Sequence, residues 1–149
     1  MESHEEDEIG PIDVIVIGYP VGAPMTGEAM PIFLDLVDRG IIRVLDALFV
    51  VKAEDGTVSG FDATDLDVKD VGDFEALAGA SSGLLGGDDV QTAGEALDPG
   101  SAAVMIVYEN RWAAPFAAAV RRNGGVLIAS DRIPVQDVID ALDAAEAAA

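Results

Sequence analysis

The chain has 149 residues, half of them apolar, with a mean hydropathy of +0.33, which is the composition and length of one globular domain. Twenty-eight acidic residues stand against eight lysines and arginines, a net charge of −20 that disfavours nucleic acid and anionic membrane surfaces as partners and suits a solubility surface. With no cysteine and a single histidine, His4, thiolate, iron–sulfur, zinc–thiolate and Ser-His-Asp chemistry are excluded.

Residues 1–9 open Met1-Glu2-Ser3-His4-Glu5-Glu6-Asp7-Glu8 and read as a disordered acidic tail, the opposite of a signal peptide's basic start. Residues 10–149 read as one domain. No apolar run approaches the roughly 18 residues that cross a membrane, so no transmembrane segment is expected and the cytoplasm is the default compartment. The first expected strand is Asp13-Val14-Ile15-Val16-Ile17-Gly18, followed by a Pro/Gly loop ending at Pro24. A helix follows, with Met30, Phe33, Leu34, Val37 and Ile41 forming one stripe at helical spacing. A long second strand starts at Ile41 and runs through Leu48-Phe49-Val50-Val51. Glu54-Asp55-Gly56 turns it into a hairpin partner, Thr57-Val58-Ser59-Gly60-Phe61, whose glycine suits an edge.

Residues 62–98 form an irregular excursion. Aspartates 62, 65, 67, 70 and 73 punctuate a short helix containing Phe74 and Leu77, and small residues from 78 to 87 surround Leu84 and Leu85. Asp88 or Asp89 can cap a further short helix through Ala93 and Leu97, and Asp98-Pro99-Gly100 turns the chain back. Then come an apolar strand, residues 102–108, a helix with Trp112, Phe116 and Val120 at i, i+4 and i+8, and the strand Val126-Leu127-Ile128-Ala129. Trp112 is expected to anchor in the core. Pro134 opens a last helix with Val135, Val138, Ile139 and Leu142 on one stripe.

The two ends of the chain look like copies of one β-α-β unit. Both helices open on a capping residue, Thr26 and Asn110, carry a proline five positions later, Pro31 and Pro115, and end on a glycine nine positions after it, Gly40 and Gly124. Two such units predict a ferredoxin-like α+β fold, an antiparallel sheet with the hairpin as an extra edge strand and a helical excursion. The first strand of each copy is expected at the centre, with the later strands outside. Both central strands are apolar at every position, so both sheet faces need cover. The two long helices are expected on one face, and the middle segment, the last helix or another subunit on the other.

The motifs resemble a small uncharacterised actinobacterial family of unknown function, the family numbered 6325. They are Thr26-Gly27-Glu28, Arg39-Gly40-Ile41-Ile42-Arg43-Val44-Leu45-Asp46, Asp55-Gly56-Thr57-Val58, Gly83-Leu84-Leu85, Tyr108-Glu109-Asn110-Arg111-Trp112 and Ile133-Pro134. The resemblance covers nearly the whole chain after residue 10. More distantly the chain is similar to a stress-associated family, numbered 1269, whose two β-α-β units flank a membrane-entering glycine zipper. Here the corresponding place holds only residues 79–87, so the membrane role is not carried over. The resemblance implies a fold and a stress context, and no activity.

Catalytic and metal residues are expected to be none, and no cofactor is expected. A carboxylate pair, Glu28 with Glu109, is the best enzymatic candidate, because both sit at strand-to-helix junctions that the duplication would bring to one end of the sheet. The competing role for each is to complement a helix dipole. Tyr19, Glu28, Glu109 and Arg111 are the candidate ligand-binding residues. Arg43, Arg111 and Arg132 either hold an anion or pair internally with Asp46, Glu109 or Asp131. The aspartates of 62–73 lack the spacing of a calcium loop. Leu84, Leu85, Val58 and Phe61 are the candidate interface residues, since small neighbours flank the leucine pair and no lysine or proline guards the edge strand. The expected function is a non-enzymatic association domain, a homo-oligomer or partner binder, with a small-ligand sensor as the alternative.

Overall fold

The computed structural model describes residues 9–24, 28–62 and 82–148. The expected helix around Phe74 and the aspartates of 65–73 lie outside the described residues, as do Thr26 and residues 1–8. The chain divides into two compact units, Met1–Ala119 and Val120–Ala149. In chain order the elements are β1 (Ile12–Tyr19), α1 (Ala29–Asp38), β2 (Ile42–Lys52), β3 (Val58–Phe61), α2 (Gly87–Ala96), β4 (Ala102–Asn110), a 3₁₀ turn (Arg111–Ala113), α3 (Ala114–Arg122) and α4 (Val135–Ala148).

The first unit is built on an antiparallel sheet of order β1-β4-β2-β3. β1 and β4 are neighbours, with Val14 opposite Val107 and Ile17 opposite Val104. Between them only β4 is central. It lies between β1 and β2, and it is buried at nearly every position, which is what its unbroken apolar run requires. β1 is an edge strand: Ile12, Val14 and Val16 are exposed, and Ile15 packs inward. The expected central place of β1 is therefore corrected, and the reason lies further along the chain. Residues 126–129 were expected to pair outside β1, and they form no strand. Four apolar residues favour extended backbone, but a strand exists only through its cross-strand pairs, and these residues have none.

Each face of the sheet has its own cluster. On one, Ala47, Phe49, Val104 and Ile106 are buried under Met30, Phe33 and Leu34 of α1, and Phe33 meets Tyr108 edge-on at 6.3 Å. On the other, Val50, Ala103 and Met105 are buried with Ala93 of α2, and Val90 of that helix, Leu85 before it and Leu97 after it pack against them. The middle of the chain thus supplies the second cover. Its helix begins ahead of the expected caps: Gly86 holds the cap position, Asp88 and Asp89 lie in the first turn, and the Asp89 carboxylate accepts the Gly86 N–H at 2.9 Å. At the other end the Lys52 ammonium donates to the carbonyls of Gly94 and Leu97, both at 3.0 Å, a cation on the negative pole of the helix.

α2 approaches the edge strand unusually closely. A Cβ on Gly60 would stand 2.6 Å from Val90 Cγ2, and one on Gly94 2.5 Å from Val58 Cγ2. Overfilling such a contact costs about 1–3 kcal/mol. Gly60→Ala should therefore lower the melting temperature by roughly 2–12 °C at about 2–4 °C per kcal/mol. An unchanged thermal melt would show that the helix does not press on this strand.

The hairpin forms as the Glu54-Asp55-Gly56 turn predicts, with Lys52 opposite Val58 and the Ala53 N–H donating to the Thr57 carbonyl at 2.8 Å. The Thr57 hydroxyl and N–H beside Asp55 hold that exposed carboxyl below its ordinary value.

Helices α1 and α3 end in the same way. The Ile41 N–H donates to the Leu36 carbonyl and the Gly40 N–H to Val37; at the corresponding positions Gly125 donates to Val120 and Gly124 to Arg121. Gly40 and Gly124 both take positive φ, +72° and +80°, as this cap requires. The helix starts differ from expectation. Asn110 sits at the cap position of the 3₁₀ turn, but its side chain bonds elsewhere, donating to the Pro11 carbonyl and to Asp13. Trp112 is not an anchor: it is 66 % exposed, and Phe116 is 73 % exposed. The turn docks by backbone, the Trp112 N–H donating to the Ile41 carbonyl, and Ala113 and Ala118 are the buried residues. Small side chains face the interior, and the large ones at 112 and 116 turn out.

Candidate functional site

The strand-to-helix junctions do not meet. Because β1 and β4 run antiparallel, Ile12 stands opposite Glu109 and Tyr19 opposite Ala102. The end of β1 that leads towards Glu28 is therefore about 23 Å from Glu109 along the sheet, at roughly 3.3 Å per residue. Parallel first strands would have brought the junctions together; antiparallel ones separate them. Of the four candidate ligand residues, Tyr19 stands at one end of the sheet and packs against the α1 cluster. Glu28 is exposed at the start of α1. Glu109 and Arg111 lie at the other end, Arg111 exposed on the 3₁₀ turn.

Glu109 itself is in β4 and not in a first helical turn, so the helix-dipole role does not apply to it. It is 1 % exposed. Its Oε1 lies 2.9 Å from Arg43 Nε on the facing strand, and its Oε2 accepts the Gly10 N–H at 2.7 Å. One carboxylate oxygen thus accepts a hydrogen bond and the other is ion-paired with Arg43 without one, and together they tie the start of β1 to the middle of the sheet. The internal partner for Arg43 is Glu109.

Asp46 is a second buried carboxylate, at 3 % exposure. It follows an irregularity in the β2–β4 pairing between Val44 and Asp46. Its Oδ1 accepts the Ala47 N–H at 2.9 Å and its Oδ2 the Leu85 N–H at 2.8 Å. Leu85 is held there and packs into the α2 cluster, as does Val58, while Phe61 packs into the α1 cluster. Of the four candidate interface residues only Leu84 is strongly exposed. Arg43, Asp46, Leu85 and Glu109 all belong to the motifs that carry the family resemblance, and each makes a contact that holds the sheet together.

Arg43, Asp46 and Glu109 are absorbed in structure, while many large apolar side chains lie open. In the second unit no residue from 120 to 148 is buried. Val126, Leu127 and Ile128 are exposed, Ile128 at 92 %. Helix α4 carries its expected stripe, Val135, Val138, Ile139 and Leu142, and its own unit buries none of the four. Within the first unit β1 is the edge strand of the sheet, and its Ile12, Val14 and Val16 are exposed. Isolated exposed apolar side chains are ordinary; a continuous helical stripe makes a larger apolar patch than those. Reading the sequence could place this stripe but not its exposure, because the same pattern serves a core helix.

Among the described residues no group of three or more His, Cys, Asp or Glu side chains could hold a metal ion, and no helix is long and apolar enough to cross a membrane. The chain matches a family of unknown function, DUF6325, over residues 8–148. It belongs to that family. No curated protein and no solved structure matches it.

Proposed function

We propose that the protein is a non-enzymatic association module that binds a second copy of itself or a protein partner through its uncovered apolar surface. The cytoplasm is its compartment, and stress its setting. One observation supports this reading: the 29 described residues from 120 to 148 contain nine valines, leucines and isoleucines, and their unit buries none of them. Burying each would be worth about 1.5–3 kcal/mol, a larger return than any polar contact on this surface offers. Like copies at −20 repel, so the association should be governed by salt.

Light scattering or sedimentation tests it. At micromolar concentration the mass should be twice 15.4 kDa or a higher multiple, and association should tighten about ten-fold between low salt and roughly 0.5 M salt as charge is screened. Ile139→Asp should shift the equilibrium back towards a folded single chain. A species of one chain's mass, unchanged up to high micromolar concentration in 0.5 M salt, would overturn self-association.

A further inference from the structure

We infer that Gly10, Pro11, Asp13, Glu109 and Asn110 form a clasp that selects the register of β1 against β4, which the apolar pattern of β1 leaves open. This device is independent of the association reading and lies wholly in the first unit. Alternate side chains of a strand point to opposite faces. On β1, Ile15, Ile17 and Tyr19 share one face with Asp13, and Ile12, Val14 and Val16 share the other. With three large apolar side chains on each face, hydrophobicity specifies the register weakly. Sliding β1 by two residues one way would set Ile15 opposite Tyr108, Val16 opposite Val107 and Ile17 opposite Ile106, apolar pairs like the observed ones. Burial adds little discrimination, since no residue of β1 is buried, against six of the nine in β4.

The clasp lies at the start of the strand. The buried Glu109 carboxylate accepts the Gly10 N–H at 2.7 Å. The Asn110 N–H donates to the Pro11 carbonyl at 2.8 Å; its side-chain amide donates to the same carbonyl at 3.1 Å and to the Asp13 carboxylate at 3.0 Å. Three of these four bonds use side chains of β4, so unlike ladder bonds they cannot be remade one step along. Gly10 fits its place only without a side chain: a Cβ there would collide with the Asn110 carbonyl oxygen and stand 3.2 Å from the Ala114 nitrogen. The slide described above would carry Gly10 and Pro11 off these partners. The opposite slide would set Asp13 against Ile106, which is 2 % exposed, and bury a carboxylate in the α1 cluster. A slip of one residue would turn Asp13 to the other face, away from Asn110. Each wrong register thus forfeits polar contacts or buries a charge, and fixing register is the best-attested use of buried polar groups.

A chain without cysteine makes the register directly readable. The bond from the Asn110 N–H to the Pro11 carbonyl marks that pair as hydrogen-bonded. Alternation then makes Val16 and Met105 a close, non-hydrogen-bonded pair, with Cα atoms about 4.5 Å apart. That is within disulfide range, whereas neighbours two residues off stand about 7–8 Å away, beyond it. Val16→Cys is therefore combined, in separate full-length chains, with Met105→Cys for the observed register, Val107→Cys for the first slide and Ala103→Cys for the opposite one.

Under mild oxidation the 16–105 link should exceed each of the other two by about ten-fold or more. Adding Asp13→Val, which removes the charge that bars the opposite slide, should raise the 16–103 link about five-fold relative to 16–105. Adding Gly10→Ala with Asn110→Val should raise the 16–107 link by a similar factor, since the observed register then carries a clash and loses its side-chain bonds. Asp13 is only half-buried, so Asp13→Val keeps the experiment readable if the other variant does not fold. If neither variant moves its own link, the apolar pairs select the register and the clasp does not, which overturns the inference. Loss of all three links together would overturn it as well, because a clasp that only adds strength loosens every pairing alike.

Discussion

Glu109→Gln should lower stability by about 3 kcal/mol and the melting temperature by roughly 6–12 °C, while Glu28→Gln changes it by less than about 0.5 kcal/mol. The contrast follows from burial. Glu28 is exposed at the start of α1, whereas Glu109 is buried between Arg43 and the Gly10 N–H. Removing one partner of a buried ion pair costs about 3–5 kcal/mol because the other charge is left without compensation. The lower end applies here because the Arg43 side chain is 32 % exposed and can turn partly to water. A second variant separates loss of the pair from loss of shape. Arg43→Met combined with Glu109→Gln should be more stable than the sum of the single changes predicts, by about 1–2 kcal/mol of coupling. Denaturant titration of the four proteins measures this directly. Additive single effects would show that the two side chains are neighbours without being partners.

Much of this architecture was legible because periodicity and glycine placement report backbone geometry. The unbroken apolar run of 102–108 reads as a strand covered on both faces, and β4 is that strand. Gly40 and Gly124 read as left-handed caps, and both have positive φ. What failed to read is whatever depends on a partner distant in sequence. Residues 126–129 have the composition of a strand, and composition does not supply the neighbour that would pair with them. Trp112 has a residue type suited to a core, but Ala113 and Ala118 take the inward positions once the turn is docked through the Ile41 carbonyl. The separation of Glu28 from Glu109 follows from strand direction, and no spacing along the chain expresses that.

The same limit hid Asp46, whose role depends on a residue 39 positions away. Asp46→Ala should cost about 2–4 kcal/mol, since two backbone donors lose a charged acceptor in a site closed to water, at about 1–3 kcal/mol for each unsatisfied group. The Ala47 N–H is deeply placed and has no room to find water. The Leu85 N–H is part-buried and can recover some solvation, which keeps the total below the sum of two full penalties. Asparagine is no remedy: its amide keeps one acceptor but turns an NH₂ towards one of the two N–H donors. The loss should be local before it is global, because Leu85 packs its side chain into the cluster over Val50 and Met105 while Asp46 holds its backbone. Hydrogen exchange should therefore show the Leu85 amide accelerated ten-fold or more in Asp46→Ala under conditions where the β4 amides stay protected. If the Leu85 amide exchanged no faster than in the parent protein, side-chain packing alone would hold this segment to the sheet, and the buried carboxylate would have no part in placing it.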